Sequence, residues 1–248
     1  MARAFDDGST QFLLNTSVAV VSAAPCTMAA WFNTDDSAKD ALLAVSNYSP
    51  GSFNGFWLVL DEYDYVQARL YDGSIGNATS STTYSLNTWH HACAVFAANN
   101  NRSAYLDGGN KGTDTSTHTP SGLENTSIGA ILYNEGPGDW LISGSIAEAG
   151  IWNVALSDAE VALLAKGYSP LFVRPQNLVF YAPLIRDEDI DIVGGLALTP
   201  YNSPTVAPHP PVVYPSQPIY VPSAQVLVSV NIDHEEGDLS EYDLTVRK

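Results

Sequence analysis

The chain has 248 residues, 45% of them hydrophobic, and carries 27 acidic against 10 basic side chains, for a formal net charge of −17. That much apolar material can build a sizeable core and excludes disorder of the whole, while the negative field repels phosphate backbones and anionic lipid, which excludes nucleic-acid binding and electrostatic membrane attachment. No apolar run is long enough to span a bilayer as a helix, and the opening residues lack the apolar centre of a secretory signal, so synthesis in the cytoplasm is expected.

In chain order, Ala4 to Leu13 reads as an opening strand and Cys26 to Asn33 as a central one. In the latter Cys26, Met28, Ala30 and Phe32 fall on one face and Thr27, Ala29 and Trp31 on the other, both mostly apolar. Ala41 to Val45, Gly55 to Leu60 and Val66 to Tyr71 follow as strands, interrupted by the loop 47–54 and ended by a turn at Asp72-Gly73. Asn87 to Phe96 has the aromatic and β-branched content of a buried strand, and Arg102 to Leu106 runs into Asp107-Gly108, a pair suited to the positive φ angles of a tight hairpin. Ser143 to Asn153 is a strand leading directly into a short helix. There Ser157 can cap the first free amides and Glu160 can reach back to it; Val161 and Leu164 share a face, and Gly167 supplies a left-handed stop. The helix is expected on the edge of the sandwich. Short strands with a turn signal about every ten residues, and no βαβ alternation, predict an all-β antiparallel sandwich or jelly roll.

Composition changes at Ser169. Asn177 to Leu184 reads as a strand and 192–199 as a hairpin; eight of the fifteen prolines then lie between Pro200 and Pro222, removing backbone donors and favouring an extended course. In the last segment Val226, Val228, Val230 and Ile232 alternate on one face, and 242–246 can pair back across an acidic turn; a lone hairpin of this kind needs another surface to pack on. The expected division is a jelly roll over 1–168, an extended proline-rich arm over 169–222 packing on the sandwich or on a neighbour, and a β segment over 223–248 for assembly.

Candidate chemistry is sparse. Cys26 and Cys93 are too few for a disulfide scaffold and read as two buried thiols, although their strand positions leave a bridge open. His90 and His91 are adjacent on a strand and point to opposite faces, so they cannot chelate jointly. Five Asn-x-Ser/Thr sequons, at Asn15, Asn47, Asn77, Asn101 and Asn125, read as chance in a chain rich in these residues. A sugar site needs aromatic platforms beside amides and carboxylates, which the loops holding Tyr48, Phe53, Tyr63, Tyr65, Tyr133 and Trp140, with Tyr71, can supply.

Trp89-His90-His91 with Tyr105-Leu106-Asp107-Gly108, followed by Gly144-Ser145-Ile146-Ala147-Glu148 and Ile151-Trp152-Asn153-Val154-Ala155-Leu156-Ser157, resembles the second half of a laminin-G-like domain of the concanavalin A-like lectin and glucanase superfamily. Ala4 to Leu13 and Cys26 to Trp31 resemble that family's first two strands. The resemblance implies a concanavalin A-like jelly roll, a sandwich that carries lectins, receptor modules, hydrolases and viral structural domains alike. Jelly-roll glucanases of this superfamily use an E-x-D-x-x-E strand. Glu62 and Asp64 fit it, but Gln67 stands where the second Glu belongs, and an amide cannot give and recover the proton. No catalytic residue is assigned.

The family's usual cofactor, calcium, would fall to Asp6, Asp7 and Glu148, a set weakened because Ala147 replaces the expected Asp; no cofactor is expected unless calcium is retained there. The block from Arg174 to Pro215 is similar to segments of tailed-bacteriophage structural proteins. Together these readings imply a non-enzymatic virion protein, of capsid-decoration or fibre type, displaying a glycan-binding jelly roll on the particle surface. Its expected partners are itself, through Val226, Val228, Val230 and Ile232, other virion proteins, and glycans. The alternatives are a free-standing calcium-assisted lectin and, below that, a glycan hydrolase.

Overall fold

Strands that alternate apolar and polar residues bury one face against a partner sheet, and strands apolar on both faces need a layer on each side. The computed structural model describes residues 1–47, 54–133, 136–137, 140–185 and 188–215. In chain order the strands are β1 (Ala2–Phe5), β2 (Phe12–Asn15), β3 (Cys26–Thr34), β4 (Ala41–Ser46), β5 (Asn54–Leu60), β6 (Val66–Asp72), β7 (Ile75–Thr79), β8 (His90–Ala98), β9 (Asn101–Leu106) and β10 (Gly109–Asp114). They continue as β11 (Asn125–Ile128), β12 (Leu132–Tyr133), β13 (Gly136–Pro137), β14 (Gly144–Trp152), then helix α1 (Asp158–Ala165), β15 (Leu178–Ala182), β16 (Thr199–Tyr201) and β17 (Thr205–Ala207).

Among the described residues, eight strands form one antiparallel sheet in the order β10-β9-β8-β3-β14-β1-β17, with β15 also on β14; seven form a second in the order β16-β2-β11-β4-β5-β6-β7. Between them lies the main core, where Cys26, Met28, Ala30 and Phe32 of β3 join Leu43, Val45, Phe56, Leu58, Val66, Ala68 and Leu70 of the second sheet. The other face of the first sheet carries its own smaller core, with Ala29, Cys93, Val95, Tyr105 and Trp152 under Leu156, Val161, Leu164 and Val173. Cys26 and Cys93 therefore sit in different cores on opposite faces of one sheet, both free and buried, which rules out a bridge between them.

Local grammar holds at the expected places. Asp107 and Gly108 turn with φ of 53° and 73°, joining β9 to β10. Ser157 and Glu160 make a reciprocal capping box, and Gly167 follows α1 with φ of 87°. Three expectations are corrected. The helix lies on the outer face of the first sheet rather than on the sandwich edge, because Val161 and Leu164 have an apolar surface to cover there. The opening segment is two strands in different sheets, β1 beside β14 and β2 beside β11, with the chain crossing between sheets at 6–11. Finally, the compact unit runs from Met1 to Tyr214, so the boundary read near Tyr168 falls inside it.

Beyond that boundary β15 pairs with β14, β17 with β1 and β16 with β2, so the proline-rich stretch lays short strands on both sheets. Prolines are tolerated there because these strands are very short or at sheet edges. A second unit spans Pro215 to Lys248. The expected strand holding Val226, Val228, Val230 and Ile232, and its return at 242–246, lie outside the described residues.

Candidate functional site

The outer face of the second sheet carries a cluster of aromatic and polar side chains. Cross-strand register sets Ala44, Trp57, Arg69 and Asn77 in one row over β4, β5, β6 and β7, with Val59, Gln67 and Thr79 in the next. The sequence of β6 dictates this: Val66, Ala68 and Leu70 enter the core, which turns Gln67, Arg69 and Tyr71 outward. Trp57 stacks on Tyr71 with ring centroids 5.6 Å apart. Gly55 makes room for it, since a Cβ there would collide with the Trp57 indole and lie 2.9 Å from the Val45 carbonyl.

A segment running back over this face caps it. Ile131 packs with Ala41, Ala44, Trp57 and Val59, and the half-buried Trp140 joins the same cluster. The Arg69 guanidinium lies 4.5 Å from the Trp140 ring centroid, and Lys39 Nζ lies 5.9 Å from it. Both are cation–π distances. A hydrogen-bonded chain then runs along the sheet: Arg69 Nη2 donates to Gln67 Oε1 at 2.8 Å, and Gln67 Nε2 donates to Asp61 Oδ2 at 2.6 Å. Asp61 Oδ1 meanwhile accepts the backbone N–H groups of Tyr63 and Tyr65. Burial holds the Arg69 guanidinium below its ordinary range, against the opposing pull of Asp61 and Glu62. Lys39 pairs with Glu62 at 3.1 Å across the rim. The arrangement offers an aromatic ring edged by two cations, with the buried Gln67 amide committed to Asp61 and Arg69 and with Asn77 following Arg69 in the cross-strand row.

Of the sequence-nominated aromatics, Trp140 and Tyr71 come together here. Tyr63, 69% exposed, and the half-buried Tyr65 sit in the turn that Asp61 caps at the end of the same strands. Tyr48, Phe53 and the side chain of Tyr133 lie outside the described residues. Arg69, Gln67, Asn77, Trp57 and Lys39 were not nominated; the polar alternation of Gln67, Arg69 and Tyr71 between apolar neighbours was the available signal. The glucanase-like fragment is taken up structurally, with Glu62 on Lys39, Asp64 in the turn at φ of 66°, and Gln67 held between Asp61 and Arg69.

The nominated metal residues do not meet. Register places Phe5 opposite Gly144 and Arg3 opposite Ile146, so Asp6 and Asp7 lie beyond one end of that pairing while Glu148 lies beyond the other, roughly 16 Å along the strand. Glu148 is instead buried at 3% exposure, where its Oε2 accepts from Tyr181 Oη at 2.7 Å, its Oε1 accepts from Tyr214 Oη at 2.5 Å, and His209 Nε2 lies 3.2 Å away. Burial and the carboxylate push both phenols above their ordinary pKa, so they stay protonated donors. Glu148 thus anchors the C-terminal stretch and does not fit the implied calcium. Among the described residues, no three His, Cys, Asp or Glu side chains form a metal-binding group.

A family profile described as the concanavalin A-like lectin/glucanases superfamily, Laminin_G_3, matches residues 6–162. The chain belongs to that superfamily. Solved structures with the same sandwich agree. A native heptameric SAP-like pentraxin from Limulus polyphemus aligns at a TM-score of 0.52 and 15% identity, over 66% of this chain and 81% of the pentraxin. A Bacteroides ovatus protein aligns at 0.53 and 15%, over 83% of this chain and 61% of its own. The CBM40 of Ruminococcus gnavus IT-sialidase, bound to α2,3 sialyllactose, aligns at 0.50 and 15%, over 58% and 84%. At such identities the likeness is one of fold. Among curated proteins, none matches the sequence. The superfamily match ends inside α1, while β15, β16 and β17 beyond it complete the two sheets of this concanavalin A-like domain.

Proposed function

We propose that the protein is a non-enzymatic, glycan-binding structural protein: a concanavalin A-like jelly roll displayed on a bacteriophage particle, contacting sugars at the rim of the second sheet around Trp140. The observation that carries the glycan reading is the half-exposed Trp140 ring with Arg69 at 4.5 Å and Lys39 at 5.9 Å, and with Asn77 next to Arg69 in the cross-strand row. An aromatic plane next to directional donors is the arrangement that holds a pyranose ring and reads its hydroxyls. Structures of similar fold include a module bound to sialyllactose, which supports the same reading. The non-enzymatic part is supported by Gln67, whose amide occupies the position a second catalytic carboxylate would need.

The virion part rests on the resemblance of 174–215 to phage structural proteins and on the apolar alternation in the sequence of 226–232, a pattern suited to adding onto a neighbouring subunit. A glycan microarray with the full chain, followed by titration of any hit, tests the binding claim. Trp140→Ala and Lys39→Ala should each weaken binding at least about tenfold, ~1.4 kcal/mol. Equal binding by both variants overturns the placement. Immunogold labelling of phage particles tests the virion role, and label confined to the soluble fraction refutes it.

A further inference from the structure

Thr34, the last residue of β3, meets more oxygens than its hydroxyl has protons. Its Oγ1 lies 2.8 Å from the Ser143 carbonyl, 3.1 Å from Asp40 Oδ2, 3.3 Å from Asp36 Oδ1 and 3.4 Å from the Asp36 carbonyl. The hydroxyl has one proton to give, and the Ser143 carbonyl, which can only accept, lies nearest to it. Asp36 is half-buried, so water can meet its oxygens. Asp40 is fully buried, and its Oδ1 has no hydrogen-bond partner among the described residues. Two oxygens facing each other with no proton between them repel, so the 3.1 Å contact is a hydrogen bond when Asp40 Oδ2 carries the proton and donates to Thr34.

The surroundings favour the neutral acid. Burial first, then the negative charges of Asp36 and Asp35 on its own segment and of Asp7 from the crossing between β1 and β2, push the Asp40 carboxyl up to about 8, against the pull of the Thr34 hydroxyl. The Tyr84 phenol is held protonated by burial and by Asp40, with Asp64 and Asp61 from the turn after β5 and Asp36 adding to it. Lys39, next in the chain, is engaged with Glu62 and the Trp140 ring. Reciprocal backbone bonds with Leu60, at 3.2 and 2.8 Å, fix Asp40 in place. Gly144 adopts φ of 150°, and a Cβ there would collide with the Asn33 carbonyl and lie 2.8 Å from Thr34 Cα, so a glycine is needed for the start of β14 to bring the Ser143 carbonyl to Thr34.

We propose that Asp40 is a proton-gated positioning residue for the Trp140 platform: as a neutral acid it donates to Thr34 Oγ1, which donates to the Ser143 carbonyl and pins the segment that runs from Trp140 into β14. When Asp40 releases its proton to solvent, the carboxylate becomes the stronger acceptor and the Thr34 proton turns to Asp40 Oδ2. Two hydrogen bonds become one, and the Ser143 carbonyl keeps only the Asp35 N–H at 3.4 Å. The relay ties the two chain segments that build the platform, because Lys39 directly precedes Asp40 and Trp140 lies just ahead of Ser143. Its consequence for sugar binding rests on the platform reading above, whereas the relay stands on the contacts of Thr34.

The test is a pH titration of the full-length protein by NMR, without sugar. It reads the Asp40 carboxyl carbon, the Gly144 amide nitrogen, which reports hydrogen bonding at the preceding Ser143 carbonyl, and the Trp140 indole N–H, assigned by its loss in Trp140→Phe. In wild type all three should move together around pH 8. Any sugar bound near neutral pH should bind about fivefold more weakly one unit above that transition. Asp40→Asn keeps a donor to Thr34 and cannot ionise, so its Gly144 and Trp140 signals should stay flat; Thr34→Val should leave the Asp40 titration in place and uncouple both signals from it. An Asp40 carboxyl that titrates near the ordinary value of about 4 overturns the proposal. So does a flat Gly144 signal in wild type, or a transition that survives in Asp40→Asn. If Asp40→Asn fails to fold, Thr34→Val decides in its place. An intact wild-type transition with no sugar bound at any pH supports the relay and overturns the platform reading alone.

Discussion

Ending the chain at Tyr168 should leave no folded domain, although the superfamily match is complete by residue 162. The removed part contains Val173, Leu178, Phe180, Tyr181, Leu184 and Leu198, all 4% exposed or less. At about 1.5–3 kcal/mol for each buried large side chain, their loss amounts to roughly 9–18 kcal/mol. That equals or exceeds the about 5–15 kcal/mol by which a domain is ordinarily stable. Polar losses point the same way. Glu148 would lose the Tyr181 and Tyr214 hydroxyls, and Trp152 Nε1 would lose the Val173 carbonyl it reaches at 2.7 Å. Urea unfolding followed by tryptophan fluorescence is a direct assay. A 1–215 fragment should unfold in one cooperative transition, and a 1–168 fragment should show none. A sigmoidal transition of similar slope in the shorter fragment would refute the conclusion that the C-terminal strands belong to the core.

Other consequences can be checked one residue at a time. Gly76→Ala should cost about 2–3 kcal/mol, because the new methyl meets the fully buried Arg102 guanidinium, which is held by Asp114 and Ser116; an unchanged urea midpoint would count against that packing. Tyr181→Phe should cost about 2–3 kcal/mol and Tyr214→Phe about 1, since only the first hydroxyl is fully enclosed with Glu148; the reverse order by thermal melting would be inconsistent. His91, at 2% exposure, has its pKa lowered by burial to about 4, against about 6.5 when unfolded. The unfolded chain therefore takes up the proton first as pH falls, and up to about 3 kcal/mol of the stability present at pH 7 is lost between pH 6.5 and 4. His91→Phe should flatten that window, and an identical pH profile would show that other groups dominate. Removing 223–248 should abolish assembly, measured by light scattering, while the melting of the sandwich stays as it was.

Elements set by neighbours in the chain were legible from residues alone. The alternation along β3, the Asp107-Gly108 hairpin and the Ser157/Glu160 capping box each follow from stereochemistry within a few positions, and each stands where expected. The two-faced apolar content of β3 likewise marked it as a strand running through the middle of a sheet, and it lies between β8 and β14. What the sequence could not disclose was which distant residues would meet. Glu148 looked like a ligand beside Asp6 and Asp7 because the family resemblance groups two distant segments, yet strand register carries them apart and gives Glu148 to phenols 33 and 66 residues later.

The same holds for other long-range contacts. Trp140 meets Arg69 only because a returning segment crosses the outer face of the second sheet, and Ser143 meets Thr34 only because Gly144 lets two strands close up. Periodicity determines which face a side chain occupies; it carries no information about what covers that face. That was decided by the packing of apolar surfaces far apart in the chain, and on it the aromatic platform depends.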